Sequence, residues 1–137
     1  MTNKFGSIAL RFEHPVRDLS FLDDTLDMKS KWCWKYGDFR RGRNGDLIGG
    51  QYDKSYWIAS ISFSEKEKLA VTFQLVLDIA KRGADKITEI VSDGGQVSIY
   101  LQLAGNVNNG DIISSSDMKF MADSGMTLMY EVFPDMG

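Results

Sequence analysis

The chain has 137 residues, 43% of them hydrophobic and 26% charged, with a formal net charge of −3. This length and balance suit one domain spanning 1–137 with its own core and exclude a disordered chain. The single cysteine excludes an internal disulfide, nothing in the sequence resembles a zinc-ligand pattern, and no apolar run nears the roughly 18 residues that a membrane helix needs.

Residues 5–13 alternate, with Ile8, Leu10 and Phe12 on one side and Ala9, Arg11 and Glu13 on the other, the pattern of a strand with one buried face. Pro15 ends it, and Leu19, Leu22 and Leu26 fall at helical spacing with Asp23, Asp24 and Asp27 outside. Pro15 or Asp18 serves the N-terminus of that short helix. An aromatic strand follows over 31–36, a glycine-punctuated loop over 37–50, and a third strand over 55–63. Ser64 and Glu67 form a capping box for the main helix, which runs to Arg82, with Gly83 supplying its left-handed C-terminal stop. A second helix covers 84–92, ahead of Gly94 and Gly95. Residues 96–103 are the clearest strand, with Val97, Ile99, Leu101 and Leu103 on one face. Asn106 to Asp111 reads as a turn. Ser114 and Asp117 open a short helix ending at Gly125, and 126–133 is the last strand.

The order β-α-β-β-α-α-β-α-β predicts an α+β fold: a mainly antiparallel sheet of about five strands with helices packed on one face. Ile8, Leu10, Phe12, Ile61, Phe63, Val97, Ile99, Leu101 and Leu128 are expected to pack against helix 65–82. The N-terminus has no basic region leading into an apolar one, so no signal peptide is expected and the cytoplasm is the expected location.

Chemistry-bearing residues concentrate between Lys29 and Trp57. All three tryptophans lie there, Trp32, Trp34 and Trp57, with six basic residues within fifteen positions: Lys29, Lys31, Lys35, Arg40, Arg41 and Arg43. Trp34-Lys35-Tyr36-Gly37-Asp38, the basic run Arg40-Arg41-Gly42-Arg43 and Trp57 opening the next strand resemble the bacterial domain-of-unknown-function 4279 family over nearly the whole chain. The resemblance implies a similar order of elements and no established activity. Small bacterial families of this kind often accompany toxin genes, so it also implies an immunity-type role.

Catalytic groupings are sparse. Nucleophilic catalysis needs a base within reach of the nucleophile. His14, beside Pro15 at a strand end, suits a surface or capping role, and Cys33, alternating with Trp32 and Trp34, suits a small buried hydrophobe. Asp23 with Asp24, and Glu65 with Glu67, read as solvated helix faces rather than carboxylates tuned for proton transfer. The Asn106–Asp111 segment lacks the acidic spacing of a calcium loop. The glycines of 37–50 match neither a P-loop nor a dinucleotide fingerprint.

Charge is segregated: from Gly83 onward, eight acids face two lysines. The leading expectation is therefore a non-catalytic cytosolic binding protein, of immunity type, neutralising a cognate bacterial toxin. Nuclease toxins are typically basic, and an acidic surface steers such a partner. The candidate protein-binding residues are Asp85, Glu89, Asp93, Asp117 and Asp123. The alternative is a module that binds an anion or single-stranded nucleic acid through the basic loop and tryptophans: Trp34, Lys35, Arg40, Arg41, Arg43 and Trp57. A plainer reading makes Trp34 and Trp57 core aromatics and the arginines a solvated loop. A small enzyme using Cys33 or His14 is the third reading. The net acidity makes nucleic acid the less expected partner. Neither a cofactor, a metal nor a membrane is expected.

Overall fold

The computed structural model describes residues 4–64, 69–104 and 111–133. Glu67 of the expected capping box and most of the turn at 106–111 lie outside these residues. Within them the chain is α+β: a five-stranded sheet in the order β2-β5-β1-β6-β7, a separate two-stranded hairpin, and helices over one sheet face.

β1 (Lys4–His14) is the central strand because its alternation runs long enough to pair on both sides. It is antiparallel to β5 (Ser55–Ser64) and to β6 (Gln96–Ala104). Register places Ile8 between Ile61 and Leu101, Leu10 between Ala59 and Ile99, and Phe12 between Trp57 and Val97. One face of three strands is thus apolar from end to end, as period-2 alternation requires. β2 (Trp32–Trp34) extends the sheet antiparallel to β5. β7 (Thr127–Phe133) joins the opposite edge parallel to β6. Its parallel sense follows from the helical crossover through α4 (Ser115–Asp123) between the two strands.

The apolar face is covered by α1 (Leu22–Leu26), α2 (Leu69–Arg82) and α3 (Ala84–Ser92). Leu19, Leu22, Leu26, Phe73, Val76, Leu77, Ile87 and Ile90 are buried against Ile8, Phe12 and Ile99. Each fully buried side chain of this size contributes about 1.5–3 kcal/mol. Ser114 caps α4 as its spacing predicts, its Oγ accepting the Asp117 N–H at 3.1 Å.

Several details differ from the sequence reading. Leu128 shares the register position of the core residue Ile99, yet it is 41% exposed. It sits on an edge strand, and Tyr130 and Val132 on the same side are exposed as well. Ile61 is only half-buried. Gly83 is not left-handed; its φ is −110°, and it precedes the first turn of α3. Glycine suits it because a Cβ there would meet Leu26 Cδ2 at 2.6 Å, where α1 packs on the α2–α3 corner. Asp23, expected outside, turns toward the core and accepts a hydrogen bond from Trp57. Residues 37–50 are not simply loop: β3 (Phe39–Arg41) and β4 (Leu47–Gln51) pair as an antiparallel hairpin.

Candidate functional site: an aromatic and basic groove

β2 and β5 decide which way each aromatic residue points. Cys33 pairs with Trp57, Trp34 with Tyr56 and Trp32 with Ile58. Partners opposite one another share a face, so Cys33 lies on the helix side with Trp57, while Trp32, Trp34 and Tyr56 lie on the open side. Trp57 is 0% exposed; its Nε1–H donates to Asp23 Oδ1 at 2.6 Å and its ring meets Phe12 edge-on, 5.5 Å between centroids. It is a core residue, and its place among the ligand-binding candidates is corrected accordingly.

Trp34 has the opposite fate. Its ring is stacked between Tyr52, 4.2 Å away and 9° from parallel, and Tyr56, 4.6 Å away and 16° from parallel. Arg11 lies 5.9 Å over the far side of the Tyr56 ring. The stack forms because the hairpin stem is anchored to the main sheet. Gly37 N–H donates to the Tyr52 carbonyl and Tyr52 N–H to the Asp38 carbonyl, both at 2.9 Å. Tyr36 N–H donates to Ser55 Oγ, and Lys35 N–H to Asp38 Oδ2. Gly37 takes a φ of +86°, a turn conformation that a side chain would strain.

Between this aromatic wall and the hairpin lies an open groove of about 860 Å³, within the size range of ligand sites. β2 borders it with Trp32, Cys33 and Trp34, and the hairpin with Phe39, Arg41 and Arg43. Trp32 is 51% exposed and Phe39 65%. Arg41 Nη1 donates to the Gly45 carbonyl at 2.8 Å, which holds its side chain over the hairpin turn. Among the described residues Arg43 has no hydrogen-bonded or ion-paired partner. The acid on the groove, Asp38, already accepts the Lys35 N–H.

Of the six basic and aromatic candidates, the fold therefore brings together Trp34, Arg41 and Arg43. Arg40 alternates to the other face of β3, near Gly50. Lys35 is exposed and does not border the groove. Sequence reasoning missed Tyr52, Tyr56 and Phe39 as groove residues. Tyr56 was readable in principle: once Trp57 is inward, its neighbour on the strand points outward. Tyr52 carried no such signal, because its position depends on the hairpin stem.

The five acidic candidates are not assembled into one surface of free charge. Asp85 is exposed in the first turn of α3. Glu89 is ion-paired with Arg17 at 2.8 Å and Lys86 at 3.4 Å, and its carboxyl is held below the ordinary value, first by the Arg17 hydrogen bond. Asp93 accepts from His14 Nε2 at 3.0 Å. Asp117 and Asp123 sit on a different helix, α4, where Asp123 pairs with Lys119 at 2.8 Å.

The two catalytic candidates are also placed. His14 is 4% exposed, not on the surface. Its Nδ1 accepts the backbone N–H groups of Val16 at 3.1 Å and Arg17 at 2.8 Å, so Nε2 carries the proton that goes to Asp93. Nδ1 thus holds the turn after Pro15, the expected capping role in a buried setting, while Nε2 ties that turn to the C-terminal end of α3. Cys33 is exposed rather than buried, because β2 is an edge strand. Partial desolvation, followed by the charges of Asp23, Asp18 and Asp38, pushes its thiol above the ordinary value. That keeps it protonated near neutral pH, the opposite of an activated nucleophile. Among the described residues no cluster of metal-ligating side chains occurs, and no helix is long and apolar enough to cross a membrane.

The chain matches no family model, no curated protein and no solved structure.

Proposed function

We propose that this protein is a non-catalytic binding protein whose recognition surface is the groove between β2 and the β3–β4 hairpin. The observation that carries the reading is the pre-built wall of Trp34 stacked between Tyr52 and Tyr56, facing Arg41 and Arg43 across open space. Aromatic rings and arginine are the side chains that dominate binding energy at interfaces, the rings by large contact area at low entropic cost and arginine by its planar fork of donors. The local balance favours an anionic occupant: six basic side chains against Asp38 and Asp46 between positions 29 and 51. Asp46 is itself bonded by Asn44 at 2.8 Å.

Toxin neutralisation through the acidic residues is the weaker form of a binding role. Three of the five, Glu89, Asp93 and Asp123, already have partners within the fold. An enzymatic role gains no support from His14 or Cys33, given the engaged ring and the protonated thiol.

The test compares two charge reversals against proteins captured from the source cell. With Arg41→Glu/Arg43→Glu, partners retained by the unaltered chain are expected to be lost while thermal melting stays unchanged. Loss with Asp85→Lys/Asp117→Lys instead, and not with the arginine reversal, would move the site to the acidic helices.

A further inference from the structure

The groove is bordered by three consecutive residues of β2, Trp32, Cys33 and Trp34. Successive side chains of a strand point to opposite faces, so on one face of the sheet a groove meets the side chains of Trp32 and Trp34 but not that of Cys33. Contact with all three, and with Tyr56 on the open face of β5, fits a groove that starts on that face and reaches the outer edge of β2. β2 is the terminal strand of the sheet and pairs with β5 on its inner side. Among the described residues, no backbone hydrogen bond reaches its outer side. An unpaired strand edge presents a row of N–H and C=O groups that another extended chain can satisfy. Here that row faces a basic hairpin rather than open solvent. Across the groove stand the ring of Phe39, the remaining donors of Arg41, and Arg43.

These features specify an occupant in three parts: an extended backbone for β2, carboxylates for the two guanidinium groups, and an apolar side chain for the aromatic walls. A nucleic-acid strand would offer phosphates to the guanidinium groups and bases to the aromatic walls but cannot form a β-ladder. We propose that the groove takes a short extended acidic peptide segment of a partner protein, added beside β2 as a sixth strand. The proposal rests on the groove being the binding surface and adds the chemistry of what enters it. β2 spans three residues, about 10 Å at strand rise, so the ladder covers three or four peptide residues and the arginines supply the remaining selectivity.

The experiment selects the full chain against displayed random peptides and, in parallel, measures binding of fluorescein-labelled oligothymidylate. Selected peptides are expected to be rich in Asp and Glu and poor in Pro. Binding of a synthesised winner should fall about tenfold or more in Arg41→Glu/Arg43→Glu. It should fall by a similar factor when the peptide is N-methylated on the alternate residues facing β2, since this removes ladder donors without altering a side chain. That second arm changes only the peptide, so misfolding of a variant cannot mimic it. Winners that tolerate N-methylation at both alternate sets, or that are basic, overturn the proposal. Arginine-dependent binding of oligothymidylate with no peptide selected also overturns it, while leaving the groove as the site. If neither probe binds in a manner that depends on Arg41 and Arg43, the groove reading falls with it.

Discussion

Trp57 and Trp34 stand on neighbouring strands, one pair apart in register, and serve opposite ends. Trp57 faces the helices, is sealed from solvent, and has both its ring and its N–H occupied by Phe12 and Asp23. Trp34 faces away from the helices and is packed by two tyrosines, yet its side of the sheet remains open to the groove. Charge follows the same division. On the closed side, near the end of β1, His14 and Arg17 are matched by Asp93 and Glu89. On the open side, Arg43 has no match among the described residues. What the difference teaches is that residue type does not assign a role here; the side of the sheet does. Where the interior satisfies every group, the energy goes into stability. Where a wall is built and its charges are left over, the surface is available for recognition.

The largest effect that would break this contrast is on Trp57. Trp57→Ala removes a fully buried ring and strands the Asp23 carboxylate, and is expected to cost about 3–5 kcal/mol in denaturant unfolding. A loss below 1 kcal/mol would mean that Trp57 is not the core anchor described. His14→Ala follows, at about 2 kcal/mol, because two buried-side backbone N–H groups lose their acceptor. His14→Asn tests the mechanism, since a side-chain oxygen that restores one acceptor should recover part of that loss.

Trp34→Ala should cost only about 1–2 kcal/mol, the size of its two ring contacts. It should also weaken binding to any partner of the groove, which Trp57→Phe should not. Arg41→Ala/Arg43→Ala is expected to change stability by less than about 0.5 kcal/mol, since both side chains are exposed. If that double variant unfolds readily, the arginines are structural and the open side is not a recognition surface.

The smallest effects are in pH. The raised Cys33 thiol predicts that iodoacetamide alkylation follows a titration midpoint above that of a free cysteine peptide. By linkage, a group raised on folding contributes stability that is present below its unfolded value and lost as pH rises through the folded one. Cys33→Ser should therefore flatten a slight alkaline decline. Glu89 has the opposite sign: its depressed carboxyl contributes above the unfolded value and the contribution fades as pH falls through the folded one. Arg17→Gln should reduce that acid dependence, because the Arg17 hydrogen bond is its first cause, with Lys86 sustaining the remainder.

Much of the fold was legible because burial leaves a period. Ile8, Leu10 and Phe12, then Val97, Ile99 and Leu101, had to lie on one face whichever strands they joined. Leu19, Leu22 and Leu26 likewise marked a helical stripe, and all are buried. Leu128 shows the limit: its pattern matched a core strand, but coverage depends on how far the helices reach over the sheet. The site was legible in composition and not in arrangement. Trp34, Arg41 and Arg43 belonged to a conspicuous segment, yet so did Trp57, Lys35 and Arg40, and no local rule separated the two groups.

By itself, then, the sequence determined the α+β class, the main strands and helices, and the concentration of aromatic and basic residues between Lys29 and Trp57. These are properties of short windows, set by periodicity and turn chemistry. Only the tertiary structure decided that Trp57 is core and Trp34 is wall, that Cys33 is exposed, that residues 39–51 form a hairpin, and that Glu89 and Asp93 are paired. Each of these depends on a contact between segments distant in the chain: β2 with β5, the hairpin stem with Tyr52, and the β1 end with α3. Pairing register selects the face a side chain occupies, and a shift of one residue would have exchanged the roles of Cys33 and Trp34.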